Sequence, residues 1–288
     1  MIWVWCARVC WALLPVTTGT AFADALAGWS TAPALAAAIM LWLAWAAGLV
    51  VMFVPRPWGL TFLRVVAPAG VICSTFTVTS TSVAAAVLAL VGALVAAALA
   101  LSTPIAAATA NALAYGDEWR VPLRIPMPLL VGPVPIAVVV IAAGATVGIL
   151  LLAAGHLILG VVLTVVGLPA AFLVARALHA LSLRWLVFVP AGLAIVDPLS
   201  LVEPTLVRRE EIAAVHPYSG TASDEELLDL RIGTLGGSIL IELREPVGFT
   251  RRRDRKTASV VSPRAVALAV TSADAVVARA QARRPAPS

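Results

Sequence analysis

Two adjacent carboxylates, Asp117 and Glu118, stand with Tyr115, Arg120 and Arg124 in residues 111–126, NALAYGDEWRVPLRIP. Neighbouring acids can hold a divalent ion, act at a membrane interface or grip a basic partner. The arginines that follow favour a plainer chemistry, in which the acids pair with Arg120 and Arg124 and fix the loop. The setting makes this segment a candidate site: the first 175 residues carry eight formal charges, and half of them fall between positions 117 and 124. A second candidate is purely basic. Arg251, Arg252, Arg253, Arg255 and Lys256 crowd five positive charges into six positions around Asp254. Held near an anionic leaflet, each is attracted by about 1 kcal/mol; away from one, the run is a solvated turn.

The remaining reactive residues form no constellation. His156, His179 and His216 lack HExxH spacing, and Gly233, Gly236 and Gly237 make neither GxGxxG nor a phosphate-binding loop. The sole lysine, Lys256, follows arginines rather than glycines. Cys6, Cys10 and Cys73 are odd in number, form no CxxC and sit among apolar neighbours, as buried thiols do. No catalytic residue, metal or cofactor is expected, and no nucleic-acid partner.

Composition sets the class of element that must position these residues. The chain is 61% hydrophobic and 12% charged, with mean hydropathy +1.00; ordinary soluble domains are about a quarter charged. From Leu183 onward, however, 14 Lys/Arg and 12 Asp/Glu give a soluble composition. The expected organisation is an α-helical polytopic membrane domain over 1–182 with a cytosolic loop at 102–128, a small cytosolic α+β domain over 183–284, and a disordered tail at 285–288.

Six spans are expected, or five if residues 1–23 are a cleaved leader; Arg8, a short apolar core and Ala21-Phe22-Ala23 fit a leader, whereas Ile2 to Trp5 begin the apolar run too early for one. Residues 33–54 cross about 30 Å without a charge. Residues 59–80 are a weaker span with Arg64 near one end, and residues 83–101 form the next after the hydroxyl-rich STFTVTSTS. Residues 129–174 hold 46 positions without a formal charge, which requires a hairpin turned at Ala154-Gly155-His156. Within it, Gly144 and Gly148 make a GxxxG that permits close helix approach. With the N-terminus inside, every Lys and Arg lies on the inner side, which by the positive-inside rule makes the charged loop and the C-terminal domain cytosolic. No span carries an acid at its centre, which argues against ion-coupled transport but not against passage of a neutral solute.

The C-terminal part reads as mostly strand. Residues 184–189 and 193–197 flank the turn-forming Pro190-Ala191-Gly192, and 211–218 is another strand. Residues 227–232 and 238–244 predict a hairpin across the glycines, 265–270 a last strand, and Ser272 the cap of a closing helix over 273–284 with Val276, Val277 and Ala280 on one face.

The RWLVFVPAGLAIVDP opening, the order of short strands, the basic turn and the capped helix resemble bacterial PH-like domains attached to membrane spans. Combined with the YGDEWRVPLRIP loop, the chain resembles an uncharacterised actinobacterial family of polytopic membrane proteins. The resemblance implies a small β-barrel closed by a helix, used as an interaction module, and supplies no active-site residue. The expected function is a non-enzymatic scaffold or accessory subunit of the bacterial plasma membrane, binding a protein or anionic lipid headgroups. The rivals are a permease component for a neutral or amphipathic solute and a membrane enzyme using Asp117 and Glu118.

Overall fold

The computed structural model describes residues 2–220, 226–254 and 257–283. The expected 285–288 tail lies outside them. Two compact units emerge, Met1–Thr109 with Val134–His179, and Ala110–Pro133 with Ala180–Ser288. The expected boundary at 182/183 therefore describes only the later of two entries into the second unit, because residues 110–133 belong with it and not with the helices.

The helices are α1 (Ile2–Ala12), α2 (Leu14–Ala27), α3 (Thr31–Phe53), α4 (Pro57–Phe76), α5 (Val83–Ala100), α6 (Thr103–Asn111), α7 (Met127–Val131), α8 (Pro133–Ala153) and α9 (Leu157–Ser182). Among the described residues, six helical segments have the length and apolarity of membrane spans: Ile2–Ala27, Thr31–Phe53, Pro57–Phe76, Val83–Ala100, Met127–Ala153 and Leu157–Ser182. Large apolar side chains such as Ile136, Val165, Val166 and Phe172 stand exposed along the last two. Water would penalise such surface heavily, and a bilayer does not. These features mark a multi-pass membrane protein.

The first unit is held by devices suited to that solvent. Trp11 and Trp45 each donate an indole N–H to the other's backbone carbonyl at 3.0 Å, so neither polar group is left in an apolar interior. A Cβ at Gly48 would overlap the Trp11 ring. α5 turns Ala89, Ala93, Ala96, Ala97 and Ala100 inward, a smooth face that lets neighbouring helices close on it. The turn between α8 and α9 falls at Gly155, whose φ of +85° favours glycine. Behind it the expected close approach is present: a Cβ on Gly144 would lie 2.6 Å from the Gly167 carbonyl oxygen, and one on Gly148 would collide with Thr164.

The ends of this unit differ in charge. Arg8 donates to the Met52 carbonyl at 3.0 Å and lies over the Trp5 and Phe53 rings. Arg56 precedes α4 at that same end, where Trp58 stacks on His179 at 3.7 Å and the Thr61 hydroxyl meets the His179 Nδ1 at 2.8 Å. At the other end Thr81 donates to Asp24, and the Gly155 turn approaches Trp29 and Ser30.

The second unit contains β1 (Trp119–Pro122), β2 (Trp185–Val189), β3 (Gly192–Val196), β4 (Thr205–Arg208), β5 (Ile212–Pro217), β6 (Leu227–Asp229), β7 (Ser238–Leu243), β8 (Phe249–Arg252), β9 (Ala258–Val261), β10 (Ala265–Ala269) and α10 (Ala273–Ala282). One sheet runs β1-β2-β3-β4, a second β5-β7-β10-β6, and β8 pairs with β9. All share one core that includes Phe188, Ile195, Ile241, Phe249 and Leu268, onto which α10 folds Val276 and Val277. β7 alternates outward and buried residues, as a half-buried strand should.

Two expectations are corrected. β6 and β7 do not form a hairpin: β10 lies between them, antiparallel to β7 and parallel to β6. The nearly all-buried AVALA of β10 suits a central strand, while Asp229 accepts from the Arg231 N–H and turns the chain aside directly after β6. A wide loop with positive φ at Ile232, Gly233, Gly236 and Gly237 then carries the chain to β7. Ser272 sits at the N-cap of α10, but its side chain makes no capping bond.

Candidate functional site

The charged loop is built into the second unit as a strand. Trp119, Arg120, Val121 and Pro122 pair antiparallel with Phe188, Val187, Leu186 and Trp185. The chain then crosses to the other sheet: the Leu123 N–H donates to the Arg184 carbonyl at 3.0 Å and the Arg124 N–H to the Ala269 carbonyl at 2.8 Å. Six residues thus join both sheets. On the outer edge of β1, the Asn111 amide takes the place of a missing strand, donating to the Arg120 carbonyl at 2.8 Å and accepting its N–H at 2.9 Å.

Where loop and unit meet lies a buried ion pair. Arg184 donates to both Asp197 oxygens, Nε to Oδ1 at 2.7 Å and Nη2 to Oδ2 at 2.8 Å, with side-chain exposures of 2% and 0%. Its Nη1 donates to the Arg124 carbonyl at 2.9 Å, and Asp197 Oδ1 also accepts the Leu199 N–H at 3.1 Å. One guanidinium therefore fastens the segment after β1, the start of β2 and the end of β3.

The five loop candidates do not converge. Tyr115 is 88% exposed. Glu118 pairs with Arg120 at 2.9 Å, and this bond together with the Tyr115 N–H holds its carboxyl below the usual range. Arg120 also lies over the Trp185 ring. Arg124 pairs with neither acid; its Nε donates to the Val270 carbonyl at 3.1 Å, close beside Gly237. The Asp117 carboxylate makes no hydrogen bond or ion pair among the described residues, and only its carbonyl accepts from Arg283 at 3.2 Å. Most of this charge works as fastening, with Asp117 left facing solvent.

The basic run is part strand and part turn. Arg251 and Arg252 end β8 and point to opposite faces of the hairpin, Arg253 follows, and Arg255 and Lys256 lie outside the described residues. Arg251 acts electrostatically on Asp229. On the other face, Arg252 and Ala258 adjoin the paired Thr250 and Val260. The Val202 N–H donates to the Thr250 carbonyl and the Arg252 N–H to the Ser200 carbonyl, so residues 200–202 bridge to the β8 edge, and Val202 and Val260 are both exposed.

Each unit also holds a hollow among its described residues. In the first unit a cavity of about 610 Å³ is lined mainly by apolar groups, among them Trp11, Phe22, Leu41, Trp45, Val66 and Ala93. In the second, a cleft of about 660 Å³ carries Arg209, Arg244 and Arg283. Sequence reading missed these three because they come from separate segments with no shared spacing. Comparison with protein-family models, with curated proteins and with solved structures finds no match.

Replacing Asp197 by Leu strands the Arg184 guanidinium in the core and should cost about 3–5 kcal/mol. The double substitution Arg184→Met with Asp197→Leu should recover much of that loss. Thermal unfolding of the detergent-solubilised chain measures both; equal stability of Asp197→Leu and wild type would show that the pair fastens nothing.

Proposed function

We propose that the protein is a non-enzymatic scaffold or accessory subunit of the bacterial plasma membrane whose second unit is a cytosolic PH-like module that docks on anionic lipid headgroups. The observation that carries this reading is the exposed face of the β8–β9 hairpin, where Arg252 stands beside Val202 and Val260. A basic residue attracts the surface and small apolar side chains enter the headgroup boundary. Attachment to spans keeps the local concentration high, so weak attraction suffices. The orientation is supported by the clustering of Arg8, Arg56 and the His179 end of α9 at one end of the helical unit.

Glu118 is poorly suited to acid catalysis, because its carboxylate is held ionised by Arg120 and the Tyr115 N–H. The apolar cavity among α1 to α5 favours a second reading, passage of a neutral or amphipathic solute, which would appear as solute uptake into proteoliposomes.

A reporter inserted at Gly155 should read outside and one at Gly116 cytosol; a cytosolic signal at Gly155 overturns the orientation. The full chain, reconstituted in neutral nanodiscs, should bind phosphatidylglycerol vesicles more than phosphatidylcholine vesicles. The preference should weaken with salt and fall further when Arg251, Arg252 and Arg253 become Gln. Equal binding to both vesicle types shifts the reading to a protein partner.

A further inference from the structure

Three arginines that the fold alone brings together surround the cleft of the second unit. Arg209 opens the short turn Arg209–Glu211 after β4, Arg244 follows β7 and Arg283 follows α10. The backbone sets each in place: the Arg209 N–H donates to the Ala191 carbonyl at 2.8 Å, the Arg244 N–H to the Glu211 carbonyl at 2.8 Å, and the Arg283 N–H to the Arg279 carbonyl at 3.2 Å. Phe188, Leu193, Ile212 and Val215 give the cleft an apolar wall. This is a concave surface with a cationic rim, unlike the flat strand face of the β8–β9 hairpin, none of whose described residues lines it.

The charge in the cleft is not balanced from within. Among the described residues, Glu210 is its one acidic lining residue, and it faces Arg208 at 3.7 Å. The neighbouring Glu211 is occupied in accepting the Arg208 N–H at 2.6 Å. The guanidinium groups of Arg209 and Arg244 make no hydrogen bond or ion pair among the described residues and are exposed. Arg283 is half-buried and oriented by two backbone acceptors, Val189 at 3.1 Å and Asp117 at 3.2 Å. Loss of hydration, and after it the like charges of Arg279 and Arg209, hold Arg283 below its ordinary pKa, against the opposing pull of the Asp117 carboxylate.

We propose that this cleft binds a soluble small molecule carrying two or more phosphate groups. Guanidinium forks match phosphate oxygens in pairs, and the uncommitted forks of Arg209 and Arg244, with the charge of Arg283 beside them, can engage more than one phosphate at once. The volume, about 660 Å³, falls in the range of small-molecule sites and exceeds what a single phosphate fills. The apolar wall gives the uncharged part of such a ligand a surface to lie against. This site is separate from the lipid-docking face, and either can fail without the other.

The probe is inorganic pyrophosphate, titrated calorimetrically at constant ionic strength into the full chain in phosphatidylcholine nanodiscs. Saturable one-to-one binding is expected, weakened about tenfold or more by Arg209→Gln and by Arg244→Gln separately. Both replaced side chains are exposed, and a thermal unfolding midpoint equal to wild type certifies that each variant is folded. Arg252→Gln should leave pyrophosphate binding unchanged. Absence of saturable binding, or equal binding by wild type and both cleft variants, overturns the proposal. A parallel arm uses phosphatidylglycerol vesicles: if the cleft variants lose vesicle binding while pyrophosphate neither binds nor competes, the anion is a lipid headgroup and the soluble ligand is refuted.

Discussion

The second unit depends on the buried pairing of Arg184 with Asp197, because that guanidinium also holds the Arg124 carbonyl. A buried ion pair contributes little net stability, since its desolvation offsets most of its attraction. What it does impose is selectivity. A chain that leaves Arg184 without Asp197, or Asp197 without its donors, strands a charge in an interior where its partners are otherwise apolar. The arrangement that satisfies both has the segment after β1 lying where it does, with Leu123 bonded to the Arg184 carbonyl and Arg124 to Ala269.

This has a consequence for how the chain is assembled. Residues 110–133 and 180–288 form one unit, yet the two helices of 134–179 separate them in sequence. β1 is synthesised before the fifth and sixth spans and its partner β2 after them. Until β2 arrives, β1 has only Asn111 to satisfy its backbone, and until β1 pairs, β2 is an open edge. The polar loop is therefore conspicuous in an apolar half because it belongs to a water-facing sheet. Its charges are mostly spent on holding it there: Glu118 on Arg120, and Arg124 on the Val270 carbonyl.

The elements that could be read from the sequence are those whose signal is local. The 46 uncharged residues after Leu129 exceed one crossing, and a glycine able to adopt φ of +85° marks their turn. Pro190-Ala191-Gly192 separates β2 from β3, and the alternation of Ser238–Leu243 identifies β7. What stayed hidden depends on distant partners. β1 is four residues long and carries Arg120, and its strand character comes from β2, more than sixty positions later. The glycine-rich stretch after β6 looks like a hairpin turn because nothing near it announces that β10 will take the central place. Arg209, Arg244 and Arg283 look like ordinary surface charges until three segments fold around one hollow. The basic run shows the converse: continuous in sequence, it is divided between two faces once Arg251 and Arg252 are in a strand.

The central claim is that the loop between the fourth and fifth spans completes the second unit. Its most direct test compares chemical unfolding of two soluble polypeptides, one of residues 180–283 alone and one in which residues 110–132 are joined to it through a flexible Gly/Ser linker. The account predicts a cooperative transition for the joined polypeptide, and for the shorter one a loss of cooperativity or a much lower midpoint. Coincident transitions for the two would contradict it, and the loop would then be a strand that the unit accepts without needing.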